Sequence, residues 1–229
     1  MDLRVREAQR QFEASGNPQD GAQWLRLRMA AGELVGDQIE MAARLGYPPA
    51  KLIYPGKSLC DGLDEESADN IADEWADILN RFPVLYAAML FLCRGILLEL
   101  REQNDEPVGL DVLAVIFNEC CTAFGAGQKF LVDARGDILL GWAAGDRNQL
   151  HFGIMAVFNL AEAWSAHEMD ITEMVKNHSK ICLYNCIEFS TYTTEVRCQE
   201  LSQFLIPWIL SEFPPIPATV AEQLSLNQE

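Results

Sequence analysis

A histidine and two cysteines are the residues of this chain whose spacing comes nearest to a metal site. His178, Cys182 and Cys186 follow one another at intervals of four, which places them on one face of a helix. Two or three such groups could bind zinc, with His167 or Glu168 completing a tetrahedral set. A single line of ligands cannot surround an ion, however, and buried cysteines equally suit a hydrophobic core. We therefore expect no metal and no other cofactor, and these three residues remain the metal candidates.

Other arrangements that carry chemistry are weak in this sequence. Residues 125–129 (GAGQK) place glycines before a lysine, but they lack the spacing of a phosphate-binding loop and follow no clear strand. No G-x-S-x-G nucleophile motif occurs. A pairing of Cys120 or Cys121 with a distant histidine would be arbitrary. The sequence indicates no catalytic residue. It favours a non-enzymatic protein but leaves an enzyme possible.

A dense acidic cluster is the feature with an interpretable function. Residues 61–77 contain eight acids and no base. On a helix, four of these acids fall in one stripe, opposite the apolar side of the same helix. One interpretation is a solvated helix face, and the other is a recognition surface that attracts a basic protein by electrostatic steering. We call these four residues the acidic stripe: Glu66, Asp69, Asp73 and Asp77.

The overall charge excludes some partners. The chain has 34 acids against 17 bases, a formal net charge of −17. This sign repels phosphate backbones and anionic lipid headgroups, so no nucleic acid and no membrane is expected as a direct partner. Residues 1–14 lack the apolar core of a secretory signal, and the seven cysteines are an odd number lying mostly in apolar runs. These features predict a cytoplasmic location.

The hydrophobic periodicity is helical along most of the chain. An all-α, multi-helix bundle with a helical-hairpin N-terminal unit is therefore predicted. Pro83 either begins a helix in its first turn or kinks a longer one. Asp170 is expected to cap a long helical segment, which Thr191–Thr194 would weaken and Pro207 would kink. The predicted helices cover residues 3–14, 20–31, 36–45, 65–82, 84–102, 109–124, 148–167 and 170–213.

The charge distribution divides the chain into parts. Residues 1–60 hold eight bases and seven acids, whereas the remainder carries a net charge of −18. We predict a helical-hairpin unit over 1–60, an acidic helical bundle over 61–213, and an extended or disordered tail over 214–229. Residues 129–142 (KFLVDARGDILLGW) form either a helix, which the flanking helices favour, or a small β-hairpin around a glycine turn.

Residues 24–56 resemble a helical segment of uncharacterised bacterial proteins. Residues 145–147 together with 160–164 are similar to a helix of proteins assigned as immunity proteins, although Asn148 replaces a proline of that pattern. The resemblance implies a bacterial, all-helical protein without established catalysis, and it transfers no catalytic residue. The shared residues of the first segment are Trp24, Leu25, Arg26, Arg28, Gly32, Glu33, Leu34, Ala42, Ala43, Leu45, Gly46, Pro49 and Ala50.

We therefore expect a non-enzymatic bacterial protein that binds a basic protein partner through its acidic helix face. An immunity, antitoxin-like or regulatory role is the sharpest form of this hypothesis. One alternative is a nucleic-acid mimic that inhibits a defence system, with carboxylates imitating phosphates. Another alternative is an enzyme or small-ligand binder with a pocket in the helical bundle.

Overall fold

The protein is all-α in the computed structural model, and the described residues contain no strand. This confirms the predicted class of an all-α bundle. The segment 129–142, for which helix and hairpin were both considered, lies outside the described residues. The structure describes residues 3–59, 61, 63, 67–79, 81–103, 110–127, 149–189, 193–211 and 217–226.

The helices fall into two compact units. One unit comprises residues 1–62 and 198–215, and the other comprises residues 63–197 and 216–229. The division at residue 62 lies where the charge changes, but the chain returns to the first unit at residue 198, which the sequence did not predict. The helices are α1 (Leu3–Ser15), α2 (Pro18–Ala30), α3 (Gly36–Arg44), α4 (Pro48–Lys51), α5 (Ala68–Ile78), α6 (Phe82–Gln103), α7 (Leu110–Ala126), α8 (Gln149–Glu168), α9 (Thr172–Phe189), α10 (Thr194–Ser211) and α11 (Pro217–Leu224).

In the first unit, α2 begins earlier than the sequence suggested. Asn17, not Asp20, is the N-cap, and its side chain accepts a hydrogen bond from the backbone N–H of Gln19. Pro18 then occupies the first helical position, where no backbone N–H is needed. Asp20 instead lies in the first turn and accepts a hydrogen bond from Ser15. The helix predicted to begin at residue 20 therefore begins two residues earlier, at Pro18.

Long-range hydrogen bonds to backbone carbonyls join the separate chain segments of the first unit. The buried Gln38 side chain donates to the carbonyl of Ile209 over 2.7 Å. Ser202 donates to the carbonyl of Leu45 over 2.6 Å. These bonds satisfy acceptors that would otherwise be buried without a partner. The apolar core around them includes Leu25, Leu34, Ile39, Ala42, Ala43, Ala50 and Leu210.

In the second unit, α6 is the central helix. Pro83 stands in its first turn, which confirms the first of the two predicted roles. The stretch Pro83–Glu102 is long and apolar enough to cross a membrane, but 72% of its most apolar window is buried within the protein. This burial fits a core helix. Tyr86 of α6 packs against Phe124 and Trp164, with ring centroids 5.0 Å from each.

A buried ion pair joins α6 to the start of α10. Glu99 and Arg197 form a salt bridge, and both side chains are almost fully shielded from solvent. A side chain at Gly95 would bring its Cβ to 3.1 Å from the Arg197 guanidinium, so glycine leaves the room that the arginine needs. A charge buried at this depth depends on its partner, because an unpaired buried charge is strongly destabilising.

The single long helix predicted over 170–213 is wrong. Asp170 does not cap it but ends α8, with φ of 58° in the left-handed region. The N–H of Ile171 donates to the carbonyl of Ala166, which is the C-terminal arrangement of a Schellman motif. The segment then forms α9 and α10, and the Thr193 hydroxyl accepts from the N–H of Val196 at the start of α10. Threonine therefore starts a new helix where a weakened one was expected.

The extended tail predicted over 214–229 is also wrong for residues 217–224, which form α11. Pro217 takes the first helical position, and the apolar residues Val220 and Leu224 are spaced by four and buried. Beyond the helix, the N–H of Leu226 donates to the Asn118 side chain of α7 over 2.9 Å. Pro217 therefore begins a helix that packs on α7, inside the segment that was predicted to be extended or disordered.

Candidate functional site

The acidic stripe lies on α5, which has one apolar face and one charged face. The Ser67 side chain caps the helix by accepting from the backbone N–H three residues further on. Ile71 and Trp75 are buried against the core of the second unit. The opposite side faces solvent, where the side chain of Asp69 is 64% exposed. Glu66, the first residue of the stripe, lies outside the described residues.

Two lysines of α9 lie against the acidic stripe. The Lys180 ammonium is 2.7 Å from the carboxylate of Asp73 and 3.6 Å from that of Asp69. The Lys176 ammonium is 2.9 Å from the carboxylate of Asp77. Hydrogen bonding to Asp77 and to Asp73 raises the pKa of Lys176 and of Lys180, respectively. The three described carboxylates therefore contribute to the contact between α5 and α9, and a basic partner would compete with these lysines.

A cleft of about 480 Å³ opens beside the stripe, at the turn from α8 into α9. Its floor includes apolar side chains of three helices, and two acids, Asp77 and Asp170, stand in its wall. The ion pair between Lys176 and Asp77 crosses from α9 to α5 in the same wall. The residues lining the cleft are Ala76, Asp77, Leu85, His167, Asp170, Ile171, Thr172, Val175 and Lys176.

Three large apolar side chains are exposed around the same turn. Met169 is 59% exposed, and Ile171 and Met174 are also open to solvent. Apolar side chains that cluster on a surface with a polar rim mark sites of protein or ligand binding more often than isolated ones do. Methionine is flexible and polarisable, so it adapts to different apolar partners. The turn thus combines an apolar surface with the acidic wall of the cleft.

The structure does not bring the three predicted metal candidates together. His178 faces α8, where its Nδ1 lies 3.0 Å from the side-chain oxygen of Asn159. Cys182 and Cys186 instead meet Cys93 of α6, with Sγ to Sγ distances of 3.7 Å and 3.9 Å from Cys93. All three ligand atoms of this cysteine trio lie within 4.8 Å of one another. Cys93 therefore takes the place in the candidate metal set that was predicted for His178.

The buried cysteines lie in an environment that keeps them protonated. Burial raises the pKa of Cys93, Cys182 and Cys186 well above its ordinary value. Burial likewise raises the pKa of Cys121 to about 12, although the nearby Arg94 lowers it in part. A thiol is a poor nucleophile until it ionises, so none of these cysteines is activated for catalysis.

The cysteines of apolar runs are free, as the sequence predicted. Cys93, Cys120, Cys121, Cys182 and Cys186 are buried and unpaired by disulfides. Cys198, which lies outside these runs, is disulfide-bonded.

Sequence reasoning missed both the lysines and the first cysteine. Lys176 and Lys180 are four residues apart, as are Asp73 and Asp77, so the matched spacing of opposite charges was a usable signal. No comparable signal marked Cys93, which stands 89 residues before Cys182 inside a mostly apolar run.

No family model, no characterised protein and no solved structure matches this chain. The resemblances of residues 24–56 and 145–164 therefore stay predictions. No catalytic or binding residue comes to this chain from another protein, and its candidate sites rest on their own geometry.

Proposed function

We propose that this chain is a non-enzymatic protein–protein interaction module that binds a basic partner protein. The binding surface combines the acidic stripe of α5 with the adjoining cleft and the exposed side chains of Met169, Ile171 and Met174. The observation that carries this proposal is the exposed apolar patch beside an acidic wall. An apolar patch supplies the binding free energy, and the surrounding charge selects the partner and speeds its approach.

The occupant of this surface is an amphipathic basic segment of the partner. Its apolar side chains would enter the cleft, as in the recognition of a helix by a hydrophobic groove. Its lysines or arginines would meet Asp77 and Asp170 in the cleft wall and the acidic stripe beyond it. The net charge of −17 supports an approach by a positively charged chain.

The intramolecular lysines give this interaction a built-in competition. Lys176 and Lys180 already contact Asp77 and Asp73, so a basic partner replaces existing ion pairs rather than pairing free carboxylates. Exchange between exposed ion pairs changes the net free energy little. The stripe would therefore steer the partner and set its orientation, while the apolar cleft would hold it. The same competition disfavours nucleic-acid mimicry, which needs a row of uncompensated carboxylates.

An immunity, antitoxin-like or regulatory role in a bacterium is the sharpest form of the proposal. It is supported by the resemblance of residues 24–56 and 145–164 and by the acidic surface. The free cysteines support a cytoplasmic location, where thiols are kept reduced, whereas the disulfide at Cys198 is a feature that the cytoplasm disfavours. The helical-hairpin arrangement of residues 1–60 and the choice between helix and hairpin at 129–142 remain predictions.

The direct test uses a defined probe, a fluorescent amphipathic helical peptide built from lysine and leucine. The full chain should bind it, and the variant Met169→Ser/Met174→Ser should bind at least about tenfold more weakly, since central apolar contacts carry most of the affinity. The variant Asp69→Lys/Asp73→Lys should mainly slow association and remove its salt dependence. Fluorescence anisotropy and stopped-flow mixing measure both effects.

A matched control separates recognition from general charge attraction. Glu7→Lys/Glu13→Lys makes the same change in net charge on exposed positions of α1, and it should leave binding nearly unchanged. Equal weakening by the control variant, or full binding by the methionine variant, would contradict the proposal. A peptide of the same composition with scrambled order should bind poorly, because its apolar side chains share no face.

A small-ligand binder is the second candidate, because the cleft volume of about 480 Å³ lies within the usual range for small-molecule sites. His167, Thr172 and Lys176 would then supply its polar contacts. A metabolite that raises the melting temperature of the wild type, and of the variant Met169→Ser/Met174→Ser equally, would favour this candidate. The exposed methionines lie outside the cleft lining, so a small ligand should not depend on them.

A further inference from the structure

The cysteine trio of α6 and α9 is a compact cluster of buried thiols. The Sγ atom of Cys93 lies 3.7 Å from that of Cys182 and 3.9 Å from that of Cys186. All three sulfur atoms lie within 4.8 Å of one another, and all three residues are buried and free of disulfides. Among the described residues, no other group of three potential ligand atoms is this close.

Two elements of the fold build this cluster. Cys182 and Cys186 are four residues apart on α9, so they project from the same helix face one turn apart. Cys93 comes from the middle of α6, the central helix of the second unit. A ligand set drawn from two helices can enclose an ion from more than one side, which the single line of His178, Cys182 and Cys186 could not do.

The distances match those of sulfur atoms that share one metal ion. Two thiolates bound to one ion at about 2.3 Å stand about 3.8 Å apart at a tetrahedral angle and about 4.0 Å apart in a trigonal plane. The two distances from Cys93 are 3.7 Å and 3.9 Å. An ion could therefore be held by the three thiols with little movement of either helix.

We propose that Cys93, Cys182 and Cys186 form a binding site for a single Cu(I) ion. Thiolate ligands select soft ions, of which Cu(I) and zinc are the common ones in proteins. Structural zinc sites are closed by four protein ligands, whereas the described residues here offer three. Cu(I) is satisfied by two or three sulfur ligands, so the number of sulfur atoms favours copper.

Binding is a ligand exchange without a redox change. Copper–sulfur bonds form, S–H bonds break, and each proton released from a thiol goes to the solvent, while copper stays Cu(I). The ion would join α6 to α9 inside the core and would enter during folding, since all three cysteines are buried in the folded chain. The site is independent of the proposed docking surface.

The alternative for the same geometry is ordinary core packing, since 3.7 Å is also a van der Waals contact between two thiols. The test refolds the full, reduced chain without oxygen in the presence of Cu(I) buffered by a competing chelator. One copper per chain should be retained, with an ultraviolet sulfur-to-copper absorption band. X-ray absorption on this wild-type sample should show a shell of sulfur only. Failure to retain copper, or a shell containing nitrogen or oxygen, would overturn the proposal without any variant.

Single variants assign the ligands. Cys93→Ala, Cys182→Ala and Cys186→Ala should each weaken copper retention by at least about tenfold, because ligand loss costs more than the roughly 10- to 100-fold effect of outer-sphere changes. Cys121→Ala is the matched control, a buried free cysteine outside the trio, and it should retain copper fully. Circular dichroism checks that each variant folds, and equal retention by all four variants would refute the assignment.

The variant Cys120→Ala, together with a parallel experiment with zinc, tests whether the site has three sulfur ligands or four. Cys120 is the further buried, free thiol whose electrostatic influence reaches Cys93 and Cys182. With a three-sulfur copper site, Cys120→Ala should retain copper and zinc should not displace it. Loss of copper in Cys120→Ala, or one zinc retained per wild-type chain refolded with zinc alone and lost in Cys120→Ala, would replace the three-sulfur Cu(I) site by a four-cysteine site.

Discussion

The two units of this chain hold their chain segments together by different means. In the first unit, polar side chains donate to distant backbone carbonyls, as Gln38 does to Ile209 and Ser202 does to Leu45. In the second unit, aromatic rings and thiols pack against α6: Tyr86 contacts two rings, and Cys93 contacts two thiols. The first unit therefore adds a few directional contacts to its apolar core. The second relies mainly on apolar area removed from water.

In the second unit, α5 and α9 bury one face and expose a charged face. These two helices can carry a charged surface, because the residues that stabilise the unit lie on their buried faces. Ile71 and Trp75 stabilise α5 from its buried side, which leaves Asp69 and Asp77 free of any structural requirement beyond their exposed ion pairs. Substitutions in the two units should therefore differ in size and kind.

The largest effect is expected from the apolar core of the second unit. Phe117 of α7 is fully buried, and Phe117→Ala should lower the free energy of unfolding by about 3–5 kcal/mol, through lost transfer free energy and the cavity left behind. Urea denaturation followed by circular dichroism measures the change. Val115→Ala on the same helix is the control, because Val115 is 51% exposed and its loss should change stability by less than about 0.5 kcal/mol. Similar losses for both variants would show that buried apolar area does not set the stability of the second unit.

A smaller effect is expected from the polar contacts of the first unit. Gln38→Ala leaves the carbonyl of Ile209 without its donor and removes the acceptor for the N–H of Val35. Such a loss should lower the free energy of unfolding by about 1–3 kcal/mol.

The variant Gln38→Glu separates the two contacts of that side chain. Its carboxylate still accepts from Val35 but places an oxygen against the Ile209 carbonyl. We expect Gln38→Glu to be at least as destabilising as Gln38→Ala. A neutral Gln38→Glu would mean that the bond to Ile209 contributes nothing, and the first unit would then rest on its apolar core alone.

The smallest effect is expected at an exposed ion pair of the first unit, between Asp61 and Lys51. Partial burial raises the pKa of Asp61, but hydrogen bonds from Lys51 and from the N–H of Ser58 outweigh it, so the pKa lies below its ordinary value. A carboxylate with a lowered pKa in the folded chain stabilises it above the unfolded pKa. That contribution is lost as the pH falls through the folded pKa.

Asp61→Asn should therefore lower stability at neutral pH by less than about 1 kcal/mol, because the pair is exposed. The difference between the wild type and Asp61→Asn should shrink as the pH falls below about 4. Urea titrations of both proteins at several pH values measure this difference. Parallel curves across the acidic range would show that the pair does not stabilise the fold.

The acidic stripe shows how far sequence reasoning reached at the surface. The amphipathic spacing predicted both the helix and its charged face, because the apolar and acidic residues of α5 repeat with the helical period within one short segment. It placed the beginning of the helix too early, since the local cap at Ser67 was passed over. It also treated the carboxylates as free, because the lysines that meet them lie on a helix about 100 residues further along the chain.

The sequence by itself determined what depends on near neighbours. Features that follow from residues within a few helical turns of one another could be predicted. They are the helical periodicity, the acidic charge, the free buried cysteines and the helices near the N-terminus. Local rules gave wrong predictions at Asp170, which ends a helix, and at Pro217, which begins one. Aspartate and proline occur at helix starts, at helix ends and in loops, so the residue type alone does not decide between them.

Only the tertiary structure decided what depends on distant segments. The return of the chain to the first unit at residue 198, the pairing of α5 with α9 and the docking of α11 on α7 all join residues far apart in sequence. Cys93 is the sharpest case, because nothing in its own apolar run distinguishes it from the neighbouring core residues. Packing of two helices, which no local period encodes, brings it to Cys182 and Cys186.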